Sequence, residues 1–261
     1  TESGNIPIPG DNNTQLHINI FNSSDDYGKY AGPIFNIDTN NGGMYLEGDP
    51  SIVSNVPNFV AYEASYANAP HYVWNLEHEY VHYLDGRFVK YDTFNHFPAH
   101  LVWWSEGLAE YISKGNDNKD AFKLLNETDV NQWYSLKDIF NTEYKDGTER
   151  VYQWGYLAVR FMVEHHLEQY RQMAHFLKTD YFDGYTKLLD KSAELYGDEF
   201  LQWLTVLNSN YSIVDTETDE NKPRQFYRYT YKNYLKPKYL VENKNHMIWQ
   251  YWHANALKSA Y

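Results

Sequence analysis

The sequence contains no cysteine, and its 22 lysines and arginines are outnumbered by 35 aspartates and glutamates, a formal net charge of −13. Without thiols there is no disulfide framework, iron–sulfur cluster, cysteine zinc site or cysteine nucleophile. Any metal must be held by histidine, carboxylate or carbonyl groups. The shortage of basic residues argues against a nucleic-acid partner, because an acidic surface repels phosphates and forgoes the counterion release that drives such binding. Long apolar runs are also missing. Mean hydropathy is −0.71, and no stretch reaches the roughly 18 apolar residues that a bilayer span needs, so no membrane partner is expected. The opening residues TESGNIPIPG have neither a basic segment nor an apolar one, so any targeting peptide is expected to have been removed. What remains is the composition of a globular chain. Aromatic residues make up 18%, with 26 tyrosines and 8 tryptophans, and their rings supply large areas for burial. The length of 261 residues suggests one large domain or two lobes.

Leu16-His17-Ile18-Asn19-Ile20-Phe21 alternates with period two, as a half-buried strand does, and a second strand is expected at Met44-Tyr45-Leu46-Glu47 after Gly42-Gly43. Residues 48–70, rich in proline, asparagine and serine, read as a long surface loop. From Pro70 the pattern turns helical, with Val73, Leu76, Tyr80, Val81 and Leu84 on one face and Gly86 as its end. Further helices are predicted at 98–115, 151–165, 168–179, 184–195 and 198–207. Strands first and helices afterwards predict an α+β fold. Residues 221–261 carry eight basic residues and one acid among ten aromatics, a net +7 against −20 for the preceding 220. Basic residues between aromatics can bind nucleic acid. Docking of this segment on the acidic body accounts better for them.

His78-Glu79-Tyr80-Val81-His82 is an HExxH pentapeptide within the predicted helix. Residues i and i+4 project from one face one turn apart, so both imidazoles can reach one zinc ion, and Glu79 can take a proton from water. A zinc hydrolase needs a third protein ligand and an open position. The next helix offers Glu106, 28 residues after His78, and Glu110 one turn further on. Glu106 is read as the third ligand and Glu110 as the carboxylate behind a ligand histidine; His96 or His100 is the alternative third ligand. Phe88 stands where a metzincin has its third histidine. In this chemistry zinc acidifies a water, Glu79 accepts the proton, and the hydroxide attacks an amide carbonyl.

HEYVHYLDGRF, followed by WWSEGLAEYIS and preceded by DTNNGGMYLEG, resembles the peptidase domain of bacterial collagenases, the gluzincin family with Vibrio-type and clostridial members. The resemblance is strongest over residues 17–165. It implies a thermolysin-like zincin: a mixed-sheet lobe ending in the HExxH helix (1–87), a helical lobe bearing the zinc glutamate (88–220), and the basic aromatic segment (221–261) packed on them. It implies His78, His82 and Glu106 as zinc ligands and Glu79 as general base. It places Gly42 and Gly43 at a sheet edge to which an extended substrate adds through main-chain hydrogen bonds, where glycines allow close approach. It also implies a calcium ion at the Glu47 side chain and the carbonyls of Gly86, Lys90 and Asp92, an oxygen set that suits calcium, although residues 88–100 depart from the clostridial pattern. An oxyanion stabiliser is required; Tyr144 matches the family's tyrosine best and Tyr152 second. Asp38 is read as capping a turn, with approach to the metal as its alternative.

These readings predict a secreted, extracellular, monomeric zinc endopeptidase cutting collagen or gelatin. The resemblance covers a catalytic part, and an activator module that grips collagen with it is expected to be missing from this chain. The competing readings are a gluzincin oligopeptidase or aminopeptidase without collagen specificity, and a catalytically silent module that only binds extended peptide.

Overall fold

The computed structural model describes residues 6–64, 73–90 and 100–214. They form two compact units, one up to Lys90 and one from His100. The basic segment 221–261, His96 and Asp92 lie outside the described residues.

The first unit is built on a three-stranded sheet of order β1 (His17–Phe21), β3 (Asn58–Tyr62), β2 (Gly43–Leu46). Strand β1 runs parallel to β3, and β2 antiparallel to it. The central strand falls inside the segment 48–70 that reads as a loop. Its Phe59, Val60 and Ala61 are all buried. Val60 packs with Tyr27 and Ala31 from a helical stretch at 24–35, while Phe59 and Ala61 pack with Val73 and Leu76 on the opposite side. A strand covered on both faces has no alternation to show, and between Pro57 and Tyr62 it looks like an unpatterned apolar run.

Helix α1 spans Leu76–Phe88. Its predicted start at Pro70 is too early, because Val73 forms an antiparallel bridge with Glu63 and the Trp74 amide donates to the Tyr62 carbonyl at 2.9 Å. The chain thus leaves the sheet and turns at Asn75, in the left-handed conformation (φ 58°). Gly86 does not end the helix. It lies within it, and the stop comes where the Val89 and Lys90 amides both donate to the Asp85 carbonyl, each at 2.9 Å.

The second unit is helical: α2 (Val102–Lys114), α3 (Lys119–Glu127), α4 (Leu136–Phe140), α5 (Gly155–His165), α6 (Leu167–Lys178) and α7 (Phe182–Val214). A π-helical turn, Glu149–Trp154, leads into α5. Helix α2 is its centre and is buried nearly all round from Val102 to Gly107. Trp104 stacks on Tyr170 at 4.4 Å, and the Trp103 indole donates to the Tyr185 hydroxyl at 3.1 Å. Gly107 of α2 and Gly155 of α5 face each other closely enough that a Cβ on Gly155 would lie 3.4 Å from the Gly107 backbone. The two helices predicted at 184–195 and 198–207 are one. Gly197 costs α7 about 1 kcal/mol relative to alanine, and burial of Tyr185, Leu189, Phe200 and Leu204 along it outweighs that.

Burial pushes the Tyr27 and Tyr156 phenols up to about 12 from an ordinary 10.0. A phenol whose folded pKa is raised favours the folded state fully below pH 10, and that contribution is lost as pH rises through 12. Alkaline unfolding is therefore expected in this window. Phenolate absorbance and circular dichroism should change together; ionisation of every tyrosine near pH 10 with the fold intact would contradict this.

Candidate metal centre

Helix α1 brings three of the expected site residues together. The ligand atoms of His78, Glu79 and His82 lie within 4.8 Å of one another, and all three residues are buried. The two imidazoles meet edge to face, with ring centroids 4.8 Å apart. This is the i, i+4 geometry expected of the motif. Two buried imidazoles one turn apart, in a chain without thiols, are donors that suit zinc.

Both oxygens of Glu79 are engaged. Oε2 accepts from the Tyr45 main-chain N–H at 3.0 Å, and Oε1 accepts from Asn75 Nδ2 at 3.1 Å. The first donor comes from β2, at the edge of the sheet, and the second from the residue that opens α1. Neither was anticipated from the sequence. The i, i+4 spacing of Asn75 and Glu79 was a readable signal for the second; the first depends on sheet packing and left no local trace. Tyr27, buried beneath the sheet, gives its hydroxyl to Asn41 Oδ1 at 2.5 Å, and the Glu79 charge adds to burial in raising its pKa.

The paired glycines lie at the start of β2. A Cβ at Gly42 would fall 1.6 Å from Trp74 Nε1, and one at Gly43 would press on the Val60 carbonyl at 3.2 Å. Contacts inside the protein thus require glycine at Gly42, beside any role towards a substrate. Asp38 accepts from the Asn40 amide at 3.1 Å, as a turn residue does.

Of the residues expected at calcium, Glu47 and Gly86 are buried and Lys90 is 1% exposed. Asn55 Nδ2 donates to the Glu47 carbonyl at 2.9 Å and to Asn13 Oδ1 at 2.8 Å, which fixes the loop after β2. Gly86 carries one of the terminal carbonyls that a helix leaves without an intrahelical donor.

The second unit holds the other candidates. Glu106 and Glu110 are buried on α2. The Tyr144 hydroxyl donates to Glu106 Oε1 at 2.6 Å, although Tyr144 itself is 57% exposed. The residue that spacing marks as the third ligand and the tyrosine that the resemblance implies are therefore in contact. Glu110 Oε2 is held by Lys114 Nζ at 2.7 Å and Asn118 Nδ2 at 3.1 Å. His100 has a left-handed backbone (φ 69°), and its carbonyl accepts from the Tyr185 hydroxyl at 2.8 Å. Tyr152 lies half-buried in the π-helical turn.

The collagenase family of peptidases, Peptidase M9, matches residues 1–203. The chain belongs to this family. It is 55% identical over 211 residues to a microbial collagenase of Vibrio alginolyticus, covering 80% of this chain and 25% of that protein. It is 37% identical over 220 residues to a microbial collagenase of Vibrio vulnificus, covering 83% and 26%. A collagenase of Clostridium perfringens is 26% identical over 216 residues, covering 77% and 18%. The chain thus spans about a quarter of the length of the Vibrio relatives. Among the described residues no helix is long and apolar enough to cross a membrane.

Proposed function

We propose that this member of the collagenase family is the catalytic part of a secreted, zinc-dependent endopeptidase that hydrolyses collagen and gelatin strands. The observation that carries the reading is the buried group of His78, Glu79 and His82 on one face of α1. The names of the Vibrio relatives, microbial collagenases, support the substrate.

In this reading His78, His82 and Glu106 hold the zinc, and Glu110 orients a ligand imidazole from behind. When bound, zinc supplies Lewis acidity that polarises the amide carbonyl and makes water a better nucleophile near neutral pH. Glu79 takes the proton from the attacking water and hands it to the leaving amine. Tyr144 gives its hydroxyl to the developing oxyanion; an exposed ring beside Glu106 can turn towards a substrate. The edge of β2 at Gly42 and Gly43 receives the extended strand. Calcium belongs to the Glu47 carboxylate with the carbonyls of Gly86, Lys90 and Asp92, an all-oxygen set.

A triple helix buries its strands against one another with glycine at every third position. A site of this kind takes a single strand. Gelatin and short collagen-like peptides are therefore expected to be cut far faster than native collagen. Metal analysis joined to a gelatin and peptide assay with and without chelator tests the proposal. Zinc near one per chain and activity lost to chelator and restored by zinc are expected. Undiminished turnover in chelator would overturn it, as would cleavage of intact fibrils as fast as gelatin.

A further inference from the structure

We infer that Asn75 is a positioning residue for the Glu79 carboxylate; the inference rests on the proposed role of Glu79 as general base. Asn75 occupies the N-cap of α1, where an asparagine side chain ordinarily accepts a hydrogen bond from an amide of the first turn. Here the side chain makes no such cap. Its amide nitrogen donates to Glu79 Oε1 at 3.1 Å. Its carbonyl meanwhile accepts the Glu79 main-chain N–H at 3.0 Å. One residue thus fixes both the backbone and the side chain of Glu79.

The orientation of the Asn75 amide follows from chemistry, since its oxygen turned towards a carboxylate would face a second acceptor. The backbone is unusual as well. A left-handed φ of 58° is unfavourable for most residues and tolerated by asparagine. Asparagine thus combines three properties: it accepts the left-handed turn, it reaches one helical turn forward, and it ends in a donor. Glycine keeps only the first, aspartate lacks the donor, and glutamine tolerates the turn poorly.

With Tyr45 N–H on the other oxygen, the Asn75 amide holds the carboxylate between two donors from different parts of the chain. Without Asn75 the carboxylate keeps one donor and can rotate about its terminal bond. The reacting geometry is then populated less often, while the histidines and the strand edge are untouched. Loss of such an outer partner typically lowers activity by about 10–100-fold.

Two substitutions separate this role from a structural one. Asn75→Gly preserves the left-handed backbone and removes the donor. Asn75→Asp preserves shape and turn tolerance, retains an N-cap acceptor, and turns an acceptor towards Glu79. Both are assayed in the full chain loaded with zinc, beside wild type and Glu79→Gln, for kcat, KM, zinc content and melting temperature. The expected result is a kcat lower by about 10–100-fold in both variants, with KM and zinc content unchanged and with Asn75→Asp melting close to wild type. Wild-type kcat in either variant would overturn the inference, and so would zinc loss in proportion to activity. If Glu79→Gln keeps its turnover, the general-base reading fails and the positioning role falls with it. If Glu79→Gln is inactive and the Asn75 variants are not, only the positioning role fails.

Discussion

Glutamine in place of Glu79 is expected to lower kcat by between about 100- and 10,000-fold, the range attributed to a positioned acid–base group. The substitution keeps the size and planarity of the side chain. Its carbonyl can still accept from Asn75 or from the Tyr45 amide, though not from both. What disappears is the ability to take a proton. His78 and His82 keep their places on α1, so zinc content and KM should be unchanged within a few-fold. The comparison also separates enzyme from binding module: a protein that only holds extended peptide would behave identically with either residue. Turnover within a few-fold of wild type would remove Glu79 from the mechanism.

A methyl group at Gly107 should produce a large loss of stability for a single added carbon, because it would meet backbone. Its Cβ would fall 2.4 Å from the Gly155 carbonyl oxygen and 2.6 Å from its carbon, with Val159 Cγ2 at 2.9 Å. The first two are backbone atoms of α5 and cannot swing aside, so the helices must separate. Alanine recovers about 1 kcal/mol of helix propensity, while overpacking costs about 1–3 kcal/mol or more. Against backbone the upper end applies, giving a net loss on the order of 2 kcal/mol. At about 2–4 °C per kcal/mol for a chain of this size, melting should fall by roughly 4–8 °C. Glu106 is the neighbouring residue on α2, so if it holds zinc as proposed, Gly107→Ala should also release the metal to chelator sooner. Gly197→Ala is the matched control. Nothing lies within 4 Å of a Cβ there, and up to about 1 kcal/mol of stabilisation is expected. Equal melting temperatures for the two variants would mean that the α2–α5 contact yields without cost.

The parts legible in the sequence are those written in local spacing. HExxH needs only one helical turn to bring its groups together, and the i, i+4 rule supplies that. Glu106 follows from helical spacing after HExxH and Tyr144 from the family resemblance, and a hydrogen bond of 2.6 Å joins them. The illegible parts depend on partners distant in sequence. Strand β3 has no polar face because both its sides are covered, so periodicity could not mark it. Proline at residue 70 suggests a helix start by local preference, but Val73 is bridged to Glu63 at the sheet and the helix begins only at Leu76. Gly107 reads as an ordinary weak point in a helix until α5 lies against it. The donors to Glu79 were hidden for two reasons: one is a main-chain group of another element, and the other is an asparagine in the place of an ordinary cap.

The hydrogen bond from Tyr45 to Glu79 has a bearing on self-association. A strand at the margin of a sheet offers unsatisfied amides to any extended chain, including a second copy of the same protein. On β2 one of those amides is engaged by a carboxylate, which brings negative charge to the margin. A like strand pairing at Tyr45 itself would compete with that carboxylate for the amide. The side chain proposed to carry out hydrolysis thus also occupies, at Tyr45, one of the amides that an edge strand would otherwise offer to a second copy.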